Sequence, residues 1–187
     1  MKSYKGIILL TFAIFALSGP ACNLLKAEKI RVHTIKKGEH TATNRCIRLV
    51  GSGQIKFNIF VDQSWLYDEK APGFQSGWNK LIGISDGFNQ HKNSVRIGWR
   101  CIENTIYLCS YCYIDGERVI SDMVEVPMGW NTGSVSITDN NYRVLINNTV
   151  LNAERTAKSP FKIMLYPYFG GNSTAPHEME FKFRLDP

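Results

Sequence analysis

The sequence has no run of five or six basic residues, no heptad pattern, no internal repeat and no low-complexity tract. The first absence removes the electrostatic footprint of a nucleic-acid-binding protein. The others exclude coiled coils, solenoids and disordered tails. Motifs of common active sites are missing too. There is no Walker loop, no H-E-x-x-H and no zinc-ligand spacing, so neither a phosphate cradle nor a zinc site is indicated. A structural calcium ion would have to draw on Asp62, Asp68 or Asp86, and no EF-type spacing supports one. No cofactor and no metal are expected. No apolar stretch reaches the roughly 20 residues of a membrane-spanning helix.

What is present is the composition of a folded domain. Of 187 residues, 44% are hydrophobic and 20% charged, which suits neither a disordered chain nor a membrane bundle. The length serves one domain with a substantial core. Aromatics reach 12%, many in alternating runs, as strands favour.

The start of the chain reads as an address. Lys2 and Lys5 precede an apolar run over 7–17, then Ser18, Gly19, Pro20, Ala21 and Cys22. A basic start, a short apolar stretch and small residues make a secretory signal peptide over 1–21. Its removal leaves 20 basic and 16 acidic residues, a charge of +4, which permits an acidic ligand without requiring one. Gly19-Pro20-Ala21-Cys22 resembles the lipobox of bacterial lipoproteins, although Gly19 stands where Leu is usual. The resemblance implies lipidation at Cys22, a spacer over 22–28 and a domain over 29–187 held to a membrane by its lipid anchor alone. The location it implies is the cell envelope, as an outer-membrane lipoprotein. Ordinary cleavage after Ala21 would instead give a periplasmic or secreted protein.

Short alternating segments divided by Gly, Asn, Asp and Pro fill the remainder. Strands are expected at 29–35, 46–50, 55–62, 79–85, 94–102, 105–114, 118–126, 133–138, 142–147, 149–152, 161–168 and 178–185. Asp115-Gly116 predicts a tight hairpin. The stretch 64–78 reads as the longest loop, a frequent location for function. A dozen strands in one domain predict an all-β, two-sheet antiparallel sandwich, a jelly roll. The last strand, with Met179, Phe181, Phe183 and Leu185 on one face, reads as a half-buried outer strand.

Three strands break the rule of apolar inside and polar outside. In 94–102, Val95, Ile97, Trp99 and Cys101 share one face, and Ser94, Arg96, Gly98 and Arg100 the other. In 105–114, Ile106, Leu108, Cys112 and Ile114 oppose Tyr107, Cys109, Tyr111 and Tyr113. In 161–168, Phe161, Ile163 and Leu165 are assigned to the core, and Lys162, Met164, Tyr166 and Tyr168 outward. One outer face would then carry Arg96, Arg100, Tyr111, Tyr113, Tyr166 and Tyr168, with Gly98 leaving room for a ligand. Aromatic rings stack on sugars, and arginine forks bind carboxylates. The plainer alternative is cross-strand Tyr–Arg packing. His91 and His177 lie in loops expected to border the face; His33 and His40 read as solvated. Cys109 and Cys112 fall on opposite faces of one strand, which argues against a redox or zinc pair. Buried thiols, or a pairing such as Cys46 with Cys101, remain open.

The segments Asn79-Lys80-Leu81, Asn93 to Arg100 and Tyr166-Pro167-Tyr168-Phe169-Gly170-Gly171 resemble a family of secreted bacterial sandwich domains of unassigned function. The strand pattern is more distantly similar to concanavalin-A-like lectin and glucanase jelly rolls, which bind or cleave polysaccharides. That likeness implies a carbohydrate-binding domain, here suited to an acidic polysaccharide. The carboxylate set E-x-D-x-x-E of the glucanases is absent. A polysaccharide lyase is the enzymatic alternative: Arg96 and Arg100 match the arginine spacing of R-x-E-x-R in jelly-roll alginate lyases. Gly98 replaces its Glu, and Gln90-His91 are adjacent where Q-x-H is expected. A protein-interaction lipoprotein is the third reading.

Overall fold

The computed structural model describes residues 29–71 and 77–185. The signal peptide, Cys22 and the 22–28 spacer lie outside the described residues. Twelve strands are present among those described: β1 (Ile30–Ile35), β2 (Gln54–Val61), β3 (Asn79–Asp86), β4 (Ser94–Ile102), β5 (Thr105–Ile114), β6 (Glu117–Ile120), β7 (Val124–Val126), β8 (Gly129–Ile137), β9 (Asn141–Ile146), β10 (Thr149–Glu154), β11 (Lys162–Leu165) and β12 (Met179–Leu185). They form two antiparallel sheets. One has the order β1-β12-β2-β8-β9-β10; the other runs β11-β3-β4-β5-β6, with β7 also on β5. This is the jelly-roll sandwich the alternation predicts.

The core lies between the sheets. Val95, Ile97, Trp99 and Cys101 of β4 and Ile106, Leu108 and Cys112 of β5 meet Phe57 and Ile59 of β2 and Met179, Phe181 and Phe183 of β12 in one apolar cluster. Its aromatic centre sets Trp65 5.0 Å from Trp99 and 4.9 Å from Phe181, ring centre to ring centre. The turns follow from local chemistry. Asp115 and Gly116 both have positive φ, as the tight hairpin between β5 and β6 requires. Glu103 and Asn104 do the same between β4 and β5.

Several expectations need correction. The segment 46–50 makes only a single bridge, Leu49 to Ile163, and 118–126 divides into β6 and β7 around an exposed turn. β12 is flanked by β1 and β2, so it is an interior strand rather than an outer one. The 64–78 stretch is partly core: Gln63–Trp65 forms a 3-10 turn, and Trp65 and Tyr67 are buried. Cys46, Cys101, Cys109 and Cys112 are all free thiols, which excludes the Cys46–Cys101 pairing here. His33 is buried against Tyr166 and Phe183, not solvated.

The face assignment of β11 is inverted. Met164 pairs with Ile84 and enters the core, while Ile163 and Leu165 pair with Ser85 and Gly83 on the outer side. Lys162 has the parity of Met164 and so suggests the wrong face, and Ile163, Met164 and Leu165 offer no contrast by which alternation could orient this short edge strand.

Candidate ligand-binding face

The outer face of the β4 sheet gathers most of the expected residues. Arg96, Gly98 and Arg100 project from β4, and their partners across the ladder are Tyr111, Cys109 and Tyr107. Tyr111 and Tyr113 lie side by side, ring centres 5.8 Å apart and hydroxyls 3.5 Å apart. His91 packs edge-on against Tyr113 at 5.3 Å. Tyr168 joins them through backbone pairing: its N–H and carbonyl exchange hydrogen bonds of 2.9 and 2.8 Å with Lys80. Buried Asn79 fixes that loop by accepting from the Gly170 N–H at 2.8 Å and donating to the Tyr67 hydroxyl at 2.8 Å.

Lys80 is the member that sequence reading missed. Its ammonium lies 5.0 Å from the Tyr111 ring centre and 5.4 Å from that of Tyr168, a cation held between two π faces. The signal was available, since Lys80 is a lone charge next to Leu81-Ile82 in a strand and pairs with Gly98. A β-bulge between Lys80 and Gly83 then lets both Leu81 and Ile82 enter the core. His40 was missed as well. Rather than being solvated, it stacks on Tyr168 at 5.4 Å and is anchored through Nδ1 to the Phe169 carbonyl at 2.9 Å.

Arg96 is 8% exposed. Its guanidinium donates to the backbone carbonyls of Leu81 and Tyr166, and at 3.4 Å to Gln90 Oε1. Nε has no acceptor. Among the described residues neither Arg96 nor Lys80 enters an ion pair. Burial pushes the guanidinium down to about 10, with Tyr111, Tyr168 and Tyr113 opposing the shift, so Arg96 stays cationic at neutral pH. Burial and then the charges of Arg96 and Arg118 push Lys80 down to about 8. Tyr111 is pushed up to about 12 by burial and by the Tyr113 hydrogen bond.

Other expected members are differently placed. Arg100 shares the face, but its guanidinium makes two hydrogen bonds with Glu69, 2.9 and 2.6 Å, and covers the Trp78 ring. Tyr166 turns the other way. It packs against the core and His33, and its hydroxyl meets Cys46 Sγ at 3.3 Å. The parity that carries Met164 inward carries Tyr166 with it. His177 hydrogen-bonds the Ser64 carbonyl at 2.9 Å, just ahead of β12, and is not brought to this face. Tyr111 is only 2% exposed, which leaves Tyr113 and Tyr168 as the accessible rings. Gly98 opens no space for a ligand. A Cβ there would meet Cys109 Sγ at 2.7 Å, Tyr111 at 3.2 Å and Trp78 at 3.3 Å. Asp86 is likewise committed, to Arg155 and Tyr142, and no group of three His, Cys, Asp or Glu side chains among the described residues could hold a metal.

Two hollows flank Arg96. One of about 280 Å³ runs along Phe88, Gln90, Ile163 and Tyr166–Tyr168. The other, about 20 Å³, is ringed by Lys80, Gln90, His91, Arg96, Tyr111 and Tyr113.

No family model and no curated protein matches the chain. Solved structures do. A Bacteroides ovatus mixed-linkage-glucan GH16 protein in complex with a G4G4G3G product superposes with a TM-score of 0.52, over 85% of this chain and 80% of that one, at 9% identity. An uncharacterized protein from Mycobacterium paratuberculosis gives a TM-score of 0.52, over 83% and 79%, at 10% identity. The laminarinase catalytic domain of Thermotoga maritima gives 0.50, over 82% and 74%, at 10% identity. At such identities the likeness is one of fold. The chain is distantly similar to the concanavalin-A-like jelly rolls.

Proposed function

We propose that this chain is a lectin-like carbohydrate-binding domain tethered at the cell envelope, and that its outer β4 face takes an acidic polysaccharide. The observation that carries the reading is the grouping of Tyr113, Tyr168 and His91 around two cations, Lys80 and Arg96, that have no carboxylate partner among the described residues. Accessible rings provide platforms for the flat faces of sugars, and cations select anionic substituents. Structural neighbours add coarse support, since a Bacteroides ovatus relative in fold was solved with a glucan product. Fold alone does not assign a ligand.

A glycan array tests the reading. Binding should concentrate on acidic polysaccharides, and Tyr168→Ala should weaken it about tenfold or more. An array with no binding would reject it and leave a protein partner as the alternative. Tethering is proposed from Cys22 and from the basic segment that follows. Residues 29–56 hold seven Lys/Arg and one acid, Glu39, which suits approach to an anionic surface. Cys22→Ala should release the protein from the membrane fraction and abolish its labelling by fatty acid.

A second reading, a polysaccharide lyase, is favoured by one contact pair. Gln90 bonds Arg96, and His91 adjoins Tyr113, so the adjacent Gln-His pair reaches the arginine and tyrosine despite its spacing. In such a reaction Arg96 would neutralise the uronate. A base, His91 or Tyr113, would take the proton alpha to the carboxylate. The freed electron pair would form the C=C bond as the C–O bond to the leaving sugar breaks, and that oxygen would accept a proton. Unsaturated uronate would appear as rising ultraviolet absorbance; a flat trace across uronans removes this reading.

A further inference from the structure

Two cations stand together on this face without an internal anion among the described residues. Arg96 is buried, its Nε unpartnered, and its other donors reach only neutral oxygens. A buried polar group without a partner is costly and calls for one. Lys80 reaches the same place from β3, held by the rings of Tyr111 and Tyr168. Between them lies the smaller hollow, about 20 Å³, roughly the space of one water-sized group. Gln90, His91, Ser94, Tyr111 and Tyr113 complete its wall, and each carries a group able to donate a hydrogen bond.

We propose that Lys80 and Arg96 form an oxyanion subsite, in which one oxygen of a carboxylate or sulfate on the bound saccharide occupies the hollow between them. The inference rests on the carbohydrate reading and goes beyond it. It locates the charge-selecting pair, adds Lys80, and removes Arg100, which Glu69 already neutralises. The larger hollow beside Arg96 would take the sugar bearing the anion, against Tyr168 and Phe88.

The subsite is pH-gated in one direction. Lys80 loses its proton near pH 8, so preference for the anion falls as pH rises through that value. The groups facing Lys80 are Arg96 on β4, Tyr111 with Tyr113 on β5, Arg118 on β6 and Tyr168 after β11; His91 borders them from the β3–β4 loop. Tyr111 is pushed up to about 12 and does not ionise in that window.

The test compares a uronan oligosaccharide, the same oligosaccharide carboxyl-reduced to its neutral form, and a sulfated galactan oligosaccharide, each titrated calorimetrically into the chain. In parallel, 13C-lysine NMR follows the titration of Lys80, assigned through Lys80→Gln, with and without glucuronate or inorganic sulfate. Expected results are at least tenfold tighter binding of one acidic form over the neutral one, loss of that preference in Lys80→Gln and above pH 9, and an upward shift of the Lys80 titration when the anion is bound. Which acidic form wins identifies the carboxylate or the sulfate as the source. Equal binding of neutral and acidic forms overturns the subsite and leaves the carbohydrate reading intact. No oligosaccharide binding, with Lys80 still shifted by glucuronate or sulfate, upholds the subsite and counts against that reading. No acidic preference and no Lys80 shift overturns the subsite outright. Arg96→Gln is a weaker probe, because Arg96 also ties β3 to the Tyr166 backbone and its loss could unfold the face.

Discussion

Lys80 shows how a single side chain can serve a site at the expense of the fold. The ordinary lysine value is 10.5, and the folded protein holds it near 8 through burial and neighbouring positive charge. Between those values the unfolded chain binds more protons than the folded one, so this group makes stability rise with pH across that window. Below about pH 8 its full destabilising effect is present. Lys80→Met should therefore stabilise the protein by about 1 to 2 kcal/mol at pH 7, once solvent screening is allowed for. The gain should shrink above pH 10, as seen by chemical denaturation at both pH values. An unchanged midpoint at pH 7 would refute the account. Gly83 matters at the same scale. A Cβ at this position would collide with the Arg96 side chain and the Val95 carbonyl, so Gly83 is the space into which Arg96 lies down across β3. Gly83→Ala should displace Arg96 and cost about 1–3 kcal/mol by overpacking. Thermal unfolding checks the stability loss, and calorimetric titration with the acidic oligosaccharide checks the accompanying loss of binding.

At the scale of elements, the two sheets are joined by more than apolar contact. Asp86 at the end of β3 is fully buried. It accepts two hydrogen bonds from Arg155, at 2.6 and 3.2 Å, and one from the Tyr142 hydroxyl of β9 at 3.1 Å. Arg155 also donates to the Thr138 carbonyl. Removing one partner of a buried pair strands the other. Asp86→Ala should destabilise by about 3–5 kcal/mol, measured by urea unfolding, whereas Lys70→Ala, which breaks an exposed pair with Glu103, should cost under about 1 kcal/mol. Comparable losses in the two variants would contradict this. Element orientation also explains the misplaced site members. β4 and β5 were correctly faced because polar and apolar residues alternate there without exception at the decisive positions. β11 was misfaced because Ile163, Met164 and Leu165 offer no contrast, and Tyr166 followed the error inward. Tyr168 was recovered on the outer face only because a new backbone pairing with Lys80, beyond Pro167, resets the chain.

For the whole molecule, the exported reading raises the question of disulfides, and the fold answers it for the domain. Cys101 and Cys112 are in the core, Cys109 is buried beside Gly98, and Cys46 is exposed. Burial pushes the Cys109 thiol up to about 12 and Cys112 to about 11, so neither offers a reactive thiolate near neutral pH. A Cys22→Ser chain should show one fast-reacting thiol when native, lost in Cys46→Ser, and four on denaturation. Reductant should leave its melting temperature unchanged. A large reductant effect would contradict the free-thiol arrangement.

The sequence by itself determined most of the strands, the two-sheet class and the outward placement of Arg96, Tyr111 and Tyr113, because each follows from alternation that one residue of slip would destroy. Only the tertiary structure decided which of those groups meet. Lys80 comes from one strand, Arg96 from the next and Tyr168 from a loop 88 positions beyond Lys80. Glu69 neutralises Arg100 but has no counterpart at Arg96 among the described residues. Parity fixes the face on which a side chain stands; its neighbours, counter-ions and burial depend on strand order and loop return, which no local pattern encodes.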